Sequence, residues 1–170
     1  SVVDNALWDL TGKLLGQPVW KLAGGVQDRV RAYAAGGYYE EGKGIPELCA
    51  EMEGYVRAGF RAVKMKVGWP GVTLHDDAER VRAVRDAIGP DIDLMIDANN
   101  AWDAKTALKF GRMVEACDPY WFEEPVPADD LRGGALLVSA LDTPIASGEN
   151  EFTRWGAREL IEAHAADVIQ

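Results

Sequence analysis

The sequence reads as an α/β chain folded as a TIM-like (β/α) barrel, on three observations. Apolar runs of strand length alternate regularly with helical patterns and short loops. Three acids, Asp97, Glu123 and Glu149, recur at intervals of 26 residues, each behind an apolar run. Lys64 and Lys66 end a further run, Ala62 to Val67. An interval of roughly 25 residues is about one strand, one helix and two short loops. Alternation of this kind indicates a parallel sheet under helical cover. An open doubly wound sheet would also alternate, but a nucleotide binder of that type carries a Gly-rich loop after its first strand, and Gly36-Gly37 does not fit GxGxxG. A barrel explains why several successive strands, not just the two at a switch point, end in charged residues.

The elements follow in order. Val2 to Leu15 is an amphipathic helix, with Val3, Leu7, Leu10 and Leu14 at helical spacing, and Gly16-Gln17-Pro18 stops it. Val19 to Leu22 is a short apolar segment ended by Gly24-Gly25. Val30 to Ala35 alternates like a strand, and Gly36 to Gly42 is a loop. Pro46 opens a helix to about Ala58, which Gly59 caps. Phe60 to Val67 is a strand. Asp76 or Asp77 starts a helix reaching Ile88, closed by Gly89-Pro90. Ile92 to Asp97 is a strand, Ala104 to Ala116 a helix and Tyr120 to Phe122 a strand. A weaker helix lies between Leu131 and Leu141, followed by a strand from Pro144 to Ser147. Arg154 to Ala165 is a helix and Val168 to Gln170 a strand. Residues 1–27 form a helix and connector, and residues 28–170 a partial barrel. A full barrel takes about 250 residues, so two βα units are expected beyond these six strands. Both ends read as cut, since Ser1 to Asp4 looks like the middle of a helix.

The chain has 170 residues, 48% of them hydrophobic, enough for one domain with a buried core. Its formal charge of −10 argues against nucleic acid or an anionic membrane as partner. An anionic substrate would have to be drawn by local cations. No apolar run approaches the ~20 residues of a membrane span, and no signal peptide is visible. Cys49 and Cys117 fall in helical patterns and read as reduced core thiols of a cytoplasmic protein.

Lys64 and Lys66 are two apart on a strand and share a face. Two ammonium groups so close disfavour each other's charge, which should lower at least one pKa and make a usable base. Asp97, Glu123 and Glu149 offer hard oxygen ligands without His or Cys, a set that suits Mg²⁺ better than Zn²⁺. Taken singly, each lysine reads as a solvated strand end and each acid as a helix cap or surface ion pair; their common register favours a site. Glu124, by alternation, should face outward as an ion-pair partner. Together these groups describe Mg²⁺-dependent abstraction of a proton α to a carboxylate, the second lysine and the metal stabilising the enediolate. Tyr38, Tyr39, Trp69 and Trp102 follow strands and are placed to wall the mouth, whereas Trp8, Trp20 and Trp155 look like packing residues.

Lys64-Met65-Lys66, Asp97-Ala98-Asn99, Glu123-Glu124-Pro125 and Gly148-Glu149-Asn150 together resemble the enolase superfamily, in its mandelate racemase/muconate lactonizing enzyme branch. Ala6-Leu7-Trp8-Asp9-Leu10 and Leu22-Ala23-Gly24-Gly25 are similar to the helix before that family's first barrel strand. The superfamily is a known example of a Lys or His base working with Mg²⁺. The resemblance implies strands 1 to 6 of a modified (β/α)7β barrel. It implies one Mg²⁺ on Asp97, Glu123 and Glu149, with Lys66 as the base. Lys64 would neutralise the metal-bound carboxylate and lower the pKa of Lys66, and Asn99 would contact the substrate's polar end. With Glu149 as third ligand, the chain looks like the mandelate racemase and acid-sugar dehydratase groups.

The family's N-terminal capping domain has no counterpart in these residues. Its Asp on the sixth strand and His on the seventh, a dyad on the opposite face, are expected beyond Gln170. His75 and His164 read as structural or surface residues. The resemblance implies dehydration of a sugar acid by a cytoplasmic homo-oligomer. Racemisation or epimerisation of a 2-hydroxy acid is the alternative, and a non-catalytic metal-binding barrel fragment is the reading from another class.

Overall fold

Six strands form one parallel sheet in chain order, β1 to β6, in a computed structural model that describes residues 2–170. They are β1 Ala34–Gly36, β2 Ala62–Lys66, β3 Asp93–Asp97, β4 Trp121–Glu123, β5 Ile145–Ser147 and β6 Val168–Ile169. Each is followed or preceded by a helix: α3 Ile45–Arg57, α4 Leu74–Ile88, α5 Ala104–Val114, α6 Leu131–Ala140 and α7 Thr153–Glu162. This is the expected partial barrel, a run of βα units whose sheet is open at β1 and β6. Two compact units divide the chain. The first runs to Ala32 and holds α1 Val2–Leu15 and α2 Val19–Leu22. Tyr33–Gln170 is the second and contains the sheet. Ser1, read from sequence as part of a helix, lies outside the described residues.

Alternation along the strands sorts the side chains onto two faces. Val63, Met65, Leu94, Ile96, Phe122 and Ile145 enter the apolar core under α3 to α6. Phe110 of α5 lies at its centre, with its ring 4.7 Å from Trp102 and 5.8 Å from Phe122. The opposite face carries Lys64, Lys66, Met95, Asp97, Trp121 and Glu123. The ladder pairs Lys66 with Asp97 and Asp97 with Glu123, so these three share one level of the sheet.

Several boundaries differ from the sequence reading for physical reasons. The first strand is shorter than Val30 to Ala35 because pairing begins at Ala34 against Val63; Val30 is exposed. Val19–Leu22 is a single helical turn that follows Pro18, whose φ of −67° suits the turn's start. α4 starts earlier than expected because Thr73 is its N-cap, and Asp76 is the acid that closes the capping box. α7 ends at Glu162, and His164 just beyond it takes a left-handed φ of 51°. Trp8, Trp20 and Trp155, read from sequence as packing residues, are all exposed. Cys49 is partly buried and Cys117 buried; both are free thiols. No helix among the described residues is long and apolar enough to cross a membrane.

Candidate active site at the strand ends

Asp97 and Glu123 are 0% and 1% exposed, and a buried carboxyl group must find partners, so those partners decide what the site can do. One oxygen of each is held by the protein's own neutral donors. Asp97 Oδ1 accepts from the Asn99 amide at 3.0 Å. Glu123 Oε2 accepts from Trp121 Nε1 at 2.9 Å and Gln170 Nε2 at 3.1 Å. The other oxygen of each faces the lysines. Lys64 Nζ lies 2.5 Å from Glu123 Oε1 and 3.2 Å from Asp97 Oδ2, while Lys66 Nζ lies 2.5 Å from Asp97 Oδ2. Lys66 also donates to Asn99 Oδ1 at 2.6 Å. Five of the six predicted site residues are therefore joined in one hydrogen-bonded group.

The electrostatics differ from expectation. Burial acts to lower the Lys64 ammonium, but its hydrogen bond to Glu123 and the field of Asp97 outweigh that and hold it well above the ordinary lysine value. Repulsion between the two ammonium groups is not what governs Lys64. Tyr33 adds a ring face 5.4 Å from Lys64 Nζ, and Tyr38 lies 5.7 Å from Lys66 Nζ.

Glu149 is placed differently. Equal spacing in sequence does not give it an equal rung: Glu123 pairs with Ala146, and Glu149 lies three residues further on. It stands exposed in the turn after β5, where Gly148 reverses the chain with a φ of 135°. The structure does not bring Glu149 into the hydrogen-bonded group. Its charge is felt at Glu124 instead.

Glu124 is the largest departure from the sequence reading. It is 1% exposed, not an outward ion-pair residue, because the strand ends at Glu123 and Glu124 turns into a left-handed φ of 41°. Burial pushes its carboxyl up, against the Asn150 amide that donates to it. Nothing in the strand pattern announces this turn, although Pro125 marks the chain's exit. Trp121 is a second residue the reading missed; its place two residues before Glu123, on the same face, was the available signal.

A pocket of about 430 Å³ opens beside Lys66, with Tyr38, Tyr39, Trp69, Pro70 and Asn99 in its wall. Tyr39 stacks on Trp69 at 5.5 Å and donates to buried Asp77. Trp102, expected at the mouth, packs in the core against Phe110 and Phe122 instead. His75 is exposed, and with Asp76 and Glu79 it forms the one group among the described residues whose possible metal-ligand atoms all lie within 4.8 Å of one another. Asp76 there is already committed to the α4 cap.

Two members of the predicted ligand set, Asp97 and Glu123, offer chemistry that suits a hard divalent cation: each is a buried carboxylate with one oxygen fixed by neutral donors and the other turned toward a lysine. Glu149, exposed in the next loop, is not gathered with them.

A parallel βα sheet with charged residues gathered at the ends of successive strands is the barrel class of α/β domain. The chain belongs to the enolase C-terminal domain-like family, which matches residues 47–170. It is 41% identical over its whole length to 45% of an arabinonate dehydratase from Saccharolobus solfataricus. The crystal structure of a 3,6-anhydro-D-galactonate cycloisomerase from Zobellia galactanivorans superposes with a TM-score of 0.90 and 40% identity, over 99% of this chain and 46% of that one. A racemase from Streptomyces coelicolor with bound magnesium superposes at 0.89 with 37% identity, over 98% and 49%. Relatives thus carry the names of sugar-acid dehydratases, cycloisomerases and a racemase. The chain spans less than half the length of the curated dehydratases it matches.

Proposed function

We propose that this chain carries one catalytic face of a Mg²⁺-dependent enzyme that removes the proton α to a carboxylate, and that the reaction is dehydration of a sugar acid in the cytoplasm. The observation that carries the reading is the pairing of Lys64 and Lys66 with Asp97 and Glu123 on three neighbouring strands. Names borne by the relatives support the choice of dehydration. Asp97, Glu123 and Glu149 would hold the ion, which when bound supplies positive charge to the substrate carboxylate and to the electron density that develops on it.

The chain's own residues do the rest. Lys66 Nζ, at the edge of the pocket, takes the α-proton in its neutral form. Lys64, deeper and held charged by Glu123 and Asp97, donates to the substrate carboxylate as its charge grows. Asn99 steers Lys66 through the bond at Oδ1 and meets the substrate's polar end. Tyr38 and Trp69 offer flat apolar walls to the C–H faces of a polyhydroxy chain. Loss of the α-proton to Lys66 and then of the β-hydroxyl, which leaves as water with a proton from the His expected on the opposite face, gives an enol that tautomerises to a 2-keto acid. A homo-oligomer with a small carboxylate as substrate is part of the same reading.

The test is a sugar-acid library with Mg²⁺ in deuterated water. A 2-keto-3-deoxy acid product is expected. Deuterated starting acid without keto acid would replace dehydration by racemisation, the reading the S. coelicolor racemase favours. Neither product would leave a metal-binding domain without turnover. Lys66→Ala should lower the rate by about 10²- to 10⁴-fold, the usual contribution of a positioned base.

A further inference from the structure

Glu124 sits beside a candidate ligand but points elsewhere. Its Oε1 accepts from Asn150 Nδ2 at 2.5 Å and its Oε2 from Asn100 Nδ2 at 3.3 Å. The main chain adds two bonds: the Asn100 amide donates to the Glu124 carbonyl at 2.8 Å, and the Glu124 amide donates to the Ala146 carbonyl at 2.9 Å. Each partner stands close to a predicted ligand. Asn100 follows Asp97 in the loop after β3, Glu124 follows Glu123 after β4, and Asn150 follows Glu149 after β5. One buried carboxylate thus joins the three loops that follow β3, β4 and β5, each next to one of the three acids. Asn100 and Glu124 both hold left-handed φ values, 64° and 41°, a conformation that persists at such residues only where the surroundings over-determine it. A buried carboxylate must be satisfied, and here neutral amides from two other loops do so.

We propose that Glu124 is a positioning residue, a buried strut whose two oxygens hold the Asn100 and Asn150 loops and thereby set where Asp97 and Glu149 stand relative to Glu123. It rests on the reading that these three acids hold Mg²⁺, so the test has one arm that needs no metal. Glu149 has no ladder partner to place it, and Asn150 is the nearest residue tied to the rest of the site. Orientation of ligands by hydrogen-bonded neighbours is worth about 10- to 100-fold in metal affinity.

The test compares Glu124→Ala, Glu124→Gln and Asn150→Ala. Amide hydrogen exchange by NMR is followed without metal at Asn100, Ala101 and Glu151, and Mg²⁺ alone is titrated by calorimetry. Glu124→Ala should speed exchange in both distant loops by roughly tenfold, and Asn150→Ala only at Glu151. Glu124→Gln should stay near the unaltered protein. Its carbonyl can accept from Asn150, and its amide can meet Asn100 Oδ1, a buried atom with no hydrogen-bond partner among the described residues. Mg²⁺ affinity should fall about 10- to 100-fold in the two alanine variants and hold in Glu124→Gln. Faster exchange confined to the residues around position 124 would overturn the proposal. So would unchanged Mg²⁺ affinity in both alanine variants when Asp97→Asn abolishes binding, and the metal reading would then survive. No Mg²⁺ binding by the unaltered protein, with the exchange pattern as expected, would overturn the metal reading and leave the strut. Should Glu124→Ala fail to fold, Asn150→Ala decides the matter, because Asn150 is exposed and its loss opens no cavity.

Discussion

Lys64 owes its charge to its neighbours. Burial alone would favour the neutral amine, yet the carboxylates of Glu123 and Asp97 hold the proton. Lys66, less enclosed, shares Asp97 and reaches Asn99. The two lysines therefore differ by environment rather than by chemistry, and in the proposed reaction that difference would let one residue type serve as both electrophile and base. Gly148 is the other residue on which the site turns. A Cβ there would lie 2.6 Å from the Gln170 carbonyl oxygen, and its φ of 135° is one that side chains resist. Gly148→Ala should cost about 1–3 kcal/mol, read as a lower urea midpoint at unchanged slope. It should also weaken Mg²⁺ binding by displacing Glu149. A midpoint within error of the unaltered protein would show that the turn tolerates a side chain.

At the scale of elements, β1 is an edge strand of three residues, and Glu51 of α3 secures it. Its carboxylate accepts from the Gly37 amide at 3.2 Å and from Tyr55 at 2.9 Å, and pairs with Lys43 at 2.7 Å. Burial alone would raise the Glu51 pKa, but the bonds from Lys43, Tyr55 and Gly37 outweigh it and hold the value below the usual carboxylate range. A folded-state value below the unfolded one contributes stability that is fully present above the unfolded pKa, near 4.3, and is lost as pH falls through the lower folded value. Denaturant midpoints measured from pH 6 down to pH 3 should fall less steeply in Glu51→Gln than in the unaltered protein. Parallel curves would mean that Glu51 titrates alike in both states. Two of the boundaries that shifted from the sequence reading, Thr73 at the start of α4 and His164 just after α7, lie at helix ends, where one side chain or one φ angle decides.

At the scale of the whole molecule, the sheet of residues 33–170 ends in two edge strands, β1 and β6, each paired on one side among the described residues. Open edges invite pairing with other chains. Phe152, Trp155 and Ile161, on and beside α7, add exposed apolar surface near the β6 side. The 170-residue chain on its own should therefore self-associate, and sedimentation velocity should show species above 18.5 kDa. A single stable species at that mass would show that the edges are protected. Its formal charge of −10 opposes non-specific adhesion to polyanions; of its 18 lysines and arginines, only Lys64 and Lys66 lie in a strand.

The sequence by itself determined the βα alternation, the order of six strands and the candidate residues, because hydrophobic period and the spacing of charged strand ends are local quantities. Lys64, Lys66, Asp97 and Glu123 were legible for that reason: alternation within β2, β3 and β4 carries them to one face, and the parallel register puts Lys66, Asp97 and Glu123 at one level. Asn99 lies beyond β3 and was named on the family resemblance alone. Only the tertiary structure decided the rest. It turned Glu124 inward, left Glu149 beyond its ladder, put Trp102 in the core and placed Trp121 and Gln170 against Glu123. Each of these depends on where a strand stops and which way the backbone leaves it. That is fixed by left-handed turns and by hydrogen bonds between residues far apart in sequence, which no local period records.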